Sequence, residues 1–270
     1  MNRGTRPSSA FSWHWNDMVE WLPIQDAVIS HYLAPKGSSV LEVGTWKGGW
    51  AISMAENDRK RKIVCVDPYP NLHAIREQFL VNAESRAAGQ IILFDKLDEA
   101  LEDSNTNFDL IHIDGEHSQS ALSRDLGKCV PRLSAGGILV IDDIFYHSFP
   151  GVTAATFSTL EVQELSAFLF SEKKLYICQK EYYQDYYNKA RVLLISKFIP
   201  FEEDQLITGE KSSYLQSNSI HGFSLLIIPA GSSMSAKFFK SIGVKNKFSL
   251  KKLLKQVIPP FLISILKSVK

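Results

Sequence analysis

Residues 108–145 read FDLIHIDGEHSQSALSRDLGKCVPRLSAGGILVIDDIF. Two short apolar runs, Leu110–Ile113 and Ile138–Ile141, each end in acidic residues. A helix-like segment from about Ser118 to Leu133 lies between them, closed by Gly136-Gly137. Apolar runs of this length, bounded by turn signals, predict buried strands of a parallel sheet. In an open α/β sheet the ligand lies beyond the carboxyl ends of the strands. Asp114, Glu116, His117, Asp142 and Asp143 are therefore expected at one mouth. Carboxylates from neighbouring strand ends suit a hard divalent cation, and a histidine beside them can move a proton. The plainer alternative is that Asp114 and Asp142 cap the helices that follow.

Upstream, Val40 to Trp50 reads VLEVGTWKGGW. Val40–Val43 is a short buried strand, Gly44 and Gly48-Gly49 make a loop, and Trp50 to Ala55 opens a helix. Backbone N–H groups at such a junction can meet an anionic group. The spacing is Gly-x-x-x-Gly-Gly, not the dinucleotide fingerprint, and Glu42 stands just before the loop. A second strand, Lys62–Val66, ends in Asp67-Pro68-Tyr69, where an acid can hydrogen-bond the hydroxyls of a ribose. The periodicity from Asp17 to Leu33 predicts a helix. Leu72–Ala87 reads as another helix and Gln90–Phe94 as a third strand. Arg59-Lys60-Arg61-Lys62 reads as a solvated turn.

VLEVGTWKGG followed by IVCVDPYP resembles the S-adenosylmethionine site of class I methyltransferases. IDGEH followed by IDD is similar to the metal site of the catechol-type and macrolide-sugar O-methyltransferases. The resemblance covers roughly residues 20–200. It implies an α/β fold: a doubly wound, Rossmann-like, mostly parallel sheet with an antiparallel closing strand, in three α/β/α layers. It also implies a cofactor site. Gly44, Thr45 and Gly48 would lie against the methionine part, with Glu42 near its amino end or steadying the loop. Asp67 would hold the ribose, Lys96 and Leu97 would border the adenine, and Asp114 would contribute from the fourth strand. At Lys96 and Leu97 the chain departs from the small polar residue favoured by that family. Magnesium would be bound by Asp114, Asp142 and Asp143, and His117, three residues after the first of these, would be the general base.

In the same scheme Thr153–Phe170 is expected as a helix, with Leu175–Gln179 and Val192–Ile195 as the closing strands. Tyr182, Tyr183, Tyr186 and Tyr187 lie between those runs; they would stack on a substrate or belong to a connection packed on the domain. Phe201–Ser219 reads as a polar loop and Phe223–Ile228 as one more strand, on an edge. Three units are expected: an N-terminal segment 1–17, a methyltransferase domain 18–230 and a basic amphipathic tail 231–270.

The charge is divided unevenly. The chain is net +1, yet residues 211–270 hold ten lysines and no acid, which leaves nine net negative charges on residues 1–210. From Met234 on, lysines alternate with Phe238, Phe239, Phe248, Leu250, Leu253, Leu254 and Ile258. A helix there would show a basic and an apolar face, as interfacial membrane helices do; docking on its own domain or on a partner subunit is the alternative. Cys65, Cys129 and Cys178 fit no zinc or disulfide pattern, so buried thiols in a reducing compartment are expected. No signal-peptide core and no membrane-spanning run is present. The expected location is cytoplasmic, with 237–270 touching the inner face of the membrane. Basic residues interleaved with aromatics of the kind that mark nucleic-acid binding are absent.

The expected activity is S-adenosylmethionine- and Mg2+-dependent O-methylation of a sugar or glycan hydroxyl, on a lipid-linked or surface polysaccharide. A catechol-like or natural-product acceptor is the alternative. From other classes, a nicotinamide-dependent oxidoreductase lacks its glycine spacing here, and a non-catalytic cofactor-binding module would not need Asp114, His117, Asp142 and Asp143 together. A second copy of the chain is an open partner.

Overall fold

The computed structural model describes residues 23–104, 107–171, 173–194 and 218–228. The expected segment 1–17, the start of the first helix, most of the loop 201–219 and the tail 231–270 lie outside the described residues.

The strands are β1 (Ser39–Val43), β2 (Lys62–Val66), β3 (Ile91–Phe94), β4 (Phe108–Ile113), β5 (Leu133–Ile141), β6 (Leu165–Ser171), β7 (Lys174–Gln179), β8 (Asn218–Ile220) and β9 (Phe223–Ile228). The helices are α1 (Pro23–Leu33), α2 (Gly49–Asn57), α3 (His73–Ala87), α4 (Leu97–Asp103), α5 (Gln119–Cys129), α6 (Pro150–Val162) and α7 (Tyr183–Leu193). All nine strands form one sheet in the order β3-β2-β1-β4-β5-β7-β6-β9-β8. β1 to β5 run parallel, whereas β7 returns antiparallel to both β5 and β6. The order reverses between β1 and β4, which opens the crevice where such sheets bind ligands.

Successive side chains of a strand point to opposite faces, and the central strands are apolar on both. Val40, Leu110, Ile138, Val140 and Tyr176 pack under α1, α2, α3 and α7. Leu41, Ile111, Leu139, Ile141 and Leu175 pack under α4, α5 and α6. This is the expected three-layer, doubly wound α/β fold, and the runs are mostly apolar because both faces are covered.

Three local expectations are corrected, and for the tyrosine-rich stretch the second of its two readings, packing on the domain, holds. The helix expected over Thr153–Phe170 ends at Val162, and Leu165–Ser171 is β6. Glu164, with φ +50°, turns the chain between them. Of the strand expected over Val192–Ile195, Val192 and Leu193 instead end α7, with Leu194 as its cap, and Ile195 lies outside the described residues. The tyrosine-rich stretch is helical and packs on the domain. Tyr186 stacks on Phe168 with ring centroids 5.3 Å apart and donates to the Gly136 carbonyl, while Tyr183 donates to the Ser224 carbonyl at 2.6 Å. Finally, Arg61 is not part of a solvated turn. Buried, it donates to Ser38 Oγ at 2.9 Å and to the Met54 carbonyl at 3.1 Å, tying α1 and α2 to the β1 end.

Candidate active site

The mouth is built by ladders that run one step past their strands. Gly44 N donates to the Val66 carbonyl at 2.8 Å, Asp114 N to Val43 at 2.7 Å, and Asp142 N to Ile113 at 3.0 Å. Gly44, Asp114 and Asp142 therefore emerge side by side. Most non-glycine residues with left-handed backbone lie in the loops around them: Trp46 (φ +51°), Tyr69 (+44°), Asn71 (+59°), Asp143 (+56°) and Phe145 (+60°). Left-handed geometry is costly for bulky side chains and gathers at functional sites.

On the β1–β2 side the glycine loop is held from below. Thr45, buried, accepts from Gly48 N through its carbonyl at 2.9 Å. Asp67 Oδ2 accepts from Trp46 N at 2.8 Å and Oδ1 from Tyr69 N at 2.9 Å. Tyr69 Oη donates to the Trp46 carbonyl at 2.5 Å. Gly48, with φ +79°, closes the turn before α2 and has no room for a Cβ, which would stand 2.5 Å from the Phe79 ring. Trp50 Nε1, in the first turn of α2, is buried without a hydrogen-bond partner among the described residues. A carboxylate fixed by two backbone donors keeps lone pairs for a diol. With the tight glycine turn and the orphaned indole donor, the set fits a nucleoside cofactor with a polar tail. Lys96, by contrast, is exposed and donates to Glu99 Oε1 at 2.7 Å, and Leu97 is buried in the core.

Glu42 belongs to a buried polar row that sequence reasoning did not anticipate. Cys65 Sγ donates to Glu42 Oε2 at 3.9 Å, and Glu42 Oε1 lies 3.2 Å from His112 Nδ1. Lys174 Nζ is 3.0 Å from His112 Nε2. An ammonium can only donate, so Nε2 accepts and His112 is neutral with its proton on Nδ1, shared with Glu42. Burial, followed by the Lys174 charge, pushes the His112 pKa well down; burial and then the Asp114 charge push that of Glu42 well up. Trp50 stacks on His112 with centroids 4.4 Å apart. Glu42 therefore lies behind the glycine loop rather than in it.

The acidic cluster is brought together as expected, but it is already paired. Asp142 Oδ1 accepts from Asp143 N at 2.7 Å, and Oδ2 accepts from Lys174 Nζ. Asp143 Oδ1 accepts from Lys173 Nζ at 2.9 Å, while Oδ2 lies 3.0 Å from His117 Nε2. His117 Nε2 is also 3.7 Å from Asp114 Oδ1. It is buried, with no aligned hydrogen bond to either carboxylate. The His117 ring lies flat on Phe149, centroids 4.2 Å and planes 10° apart. The adjacent Asp114 and Asp143 carboxylates, which favour the protonated ring, raise its pKa to about 9. Burial and the Asp142 charge push Asp114 up to about 6. For Asp142 burial acts upward most strongly, but the Lys174 charge, together with the Asp114, His112 and Lys174 contacts, outweighs it and holds the carboxyl well below the usual range.

One alternative raised by the sequence, that the acids cap the following helices, does not hold for Asp114: Ser118 caps α5, its side chain accepting from Ala121 N. Ligand atoms of Asp114, His117 and Asp143, and separately of His112, Asp114 and Asp142, gather within 4.8 Å of one another. Magnesium held jointly by Asp114, Asp142 and Asp143 fits this donor set poorly, because Asp142 Oδ2 and Asp143 Oδ1 each already face an ammonium group and a dication there would sit against like charge. Lys173 and Lys174 are the residues that the sequence did not reveal.

A glycine loop after the first strand, an acid after the second, and a histidine among carboxylates after the fourth and fifth gather at the switch-point crevice of this doubly wound sheet. Residues 41–144 match the family model described as a methyltransferase domain. None of the curated proteins matches it in sequence. Three solved structures illustrate the similarity. Podospora anserina methyltransferase PaMTH1, bound to SAH, is 18% identical over 58% of this chain and 77% of its own, with a TM-score of 0.48. The Bacillus cereus O-methyltransferase, in complex with SAH, is 14% identical over 58% and 80%, at 0.45. The TDP-rhamnose 3'-O-methyltransferase CalS11 of calicheamicin biosynthesis is 19% identical over 56% and 75%, at 0.45.

Proposed function

We propose that this protein transfers a methyl group from S-adenosylmethionine to a hydroxyl oxygen of a sugar or glycan, with His117 as the general base. One observation carries the reading: His117 Nε2 is buried between Asp143 and Asp114 without an aligned partner, next to the strand end that adjoins the glycine loop. When bound, the cofactor supplies an electrophilic methyl carbon on a sulfonium. Gly44, Thr45 and Gly48 would cradle its amino-acid part, and Asp67 would take the ribose hydroxyls.

The residues that remain act on the acceptor. A sugar hydroxyl is too weak an acid to ionise at neutral pH, so its proton must leave as the oxygen attacks, and a positioned histidine can accept it. Asp114 and Asp143 would orient the imidazole and stabilise the imidazolium that results. Tyr146 and Phe149 form an aromatic rim beside His117. Such faces pack against the C–H side of a pyranose and hold the hydroxyl in line, and positioning is a large share of catalysis in a displacement. The basic tail supports a lipid-linked or surface glycan, since residues 237–270 would keep the enzyme at an anionic membrane surface.

Calorimetric titration with S-adenosylmethionine tests the cofactor, and a panel of nucleotide sugars, glycosides and catechols tests the acceptor. Micromolar cofactor binding with methylation of glycosides is expected. Methylation of catechols alone would move the acceptor class, and absence of cofactor binding would overturn the reading as a whole.

A further inference from the structure

We propose that Lys174, with Lys173 beside it, is the resident cation of this site, so that the acidic cluster works without a divalent metal. The inference rests on the methyl-transfer reading only for what the site does; the pairing itself is a matter of geometry. β7 returns antiparallel along β5, and one step beyond the Ile141–Leu175 pair it sets Lys174 opposite Asp142. Lys174 is 7% exposed, and its ammonium is held at once by Asp142 Oδ2 and His112 Nε2. His112 is in turn fixed by Glu42 and by the Trp50 ring. The ammonium is thus the end of a row that crosses the sheet from β2 to β7.

Lys173 completes the arrangement from the turn between β6 and β7. Its Nζ lies 2.9 Å from Asp143 Oδ1 and 4.7 Å from the centroid of Tyr146. Three carboxylates (Asp114, Asp142, Asp143) then face three potential cations (Lys173, Lys174, His117). A cluster balanced in this way gains little from a dication. A metal bound to Asp142 would also have to push a buried ammonium off its two acceptors, or sit against a like charge. In the proposed reaction the lysines would do the fixed electrostatic work: Lys174 keeps Asp142 ionised and in place, and Lys173, partly exposed, lends positive potential at the rim.

The test is a Mn2+ titration of the full-length protein followed by electron paramagnetic resonance, with and without S-adenosylmethionine, alongside calorimetry for the cofactor. Unmodified protein is expected to leave Mn2+ free in both cases. K174M and K173M are expected to bind it roughly tenfold or more tightly than the parent, the effect of removing a like charge from a carboxylate site. Stoichiometric Mn2+ binding by the unmodified protein would overturn the inference, and this measurement stands even if K174M does not fold. Methylation that continues unchanged in EDTA supports it, and methylation abolished by EDTA and restored by Mg2+ overturns it. Failure to bind S-adenosylmethionine would sink the proposed function while leaving the Mn2+ result to decide the lysines.

Discussion

The His117 imidazole sits against Asp114 and Asp143, whose carboxylates favour the protonated ring and raise its pKa from 6.5 to about 9. At pH 7 only about one molecule in a hundred would carry the free base. If His117 removes the acceptor proton, kcat/KM should climb close to tenfold per pH unit from neutrality and level off near pH 9; a profile already flat above pH 7 would contradict the assignment. The same carboxylates act on stability with the opposite sign. A raised histidine pKa contributes stability that is complete below pH 6.5 and is lost as pH rises through about 9. Asp143, held below its usual range despite partial burial by His117 and Lys173, contributes above about 3.8 and loses it on acidification. The enzyme should therefore be most active where this network is being loosened. Replacing His117 by Ala should cut turnover by about 10²–10⁴-fold and leave cofactor affinity within about twofold of the parent. Parallel losses in turnover and binding would point to a packing role on Phe149 instead.

At the level of elements, the glycine turn between β1 and α2 is the part most sensitive to one added carbon. A Cβ at Gly48 would meet Phe79 at 2.5 Å and Ile52 Cδ1 at 2.9 Å, at φ +79°. Gly89 has a similar φ of +73° with nothing within 4 Å of the added atom. Gly89→Ala should thus cost only the left-handed strain, about 1–2 kcal/mol. Gly48→Ala should cost that plus overpacking, roughly 2–5 kcal/mol in total. Urea unfolding of the two variants separates the terms, and equal losses would show that α3 simply moves away. Much of this architecture was legible in the sequence, because β1, β2, β4 and β5 are apolar runs of strand length, several closed by acids. β6 was not. Its Leu-Ser-Ala-Phe-Leu-Phe run follows α6 with no glycine or proline between them, and the break falls on Glu164. α7 was hidden by its tyrosines, which favour no single element, although Tyr183, Tyr186, Ala190 and Leu193 keep a helical spacing. Lys174 could not be read at all. It stands 32 residues from Asp142, and only the antiparallel return of β7 makes them neighbours.

For the whole molecule the uneven charge matters more than any contact. A body carrying nine net negative charges is joined to sixty residues that hold ten lysines and no acid. An anionic bilayer would attract the second part and repel the first, so the domain should stand off the surface while the tail lies on it. Each lysine near such a surface is worth about 1 kcal/mol, an attraction that fades within a Debye length. The phenylalanines and leucines between the lysines would add apolar burial in the interface. No described helix is long and apolar enough to cross a membrane; attachment through the lysines of the tail would be sensitive to salt. Sedimentation with phosphatidylglycerol-containing vesicles should carry down the full chain at low salt, release much of it at high salt, and leave a chain ending at residue 230 in the supernatant. Binding unchanged by the truncation would assign the surface to the domain itself. Loss of sedimentation by the full chain on neutral phosphatidylcholine vesicles would show that charge, rather than apolar insertion alone, selects the membrane.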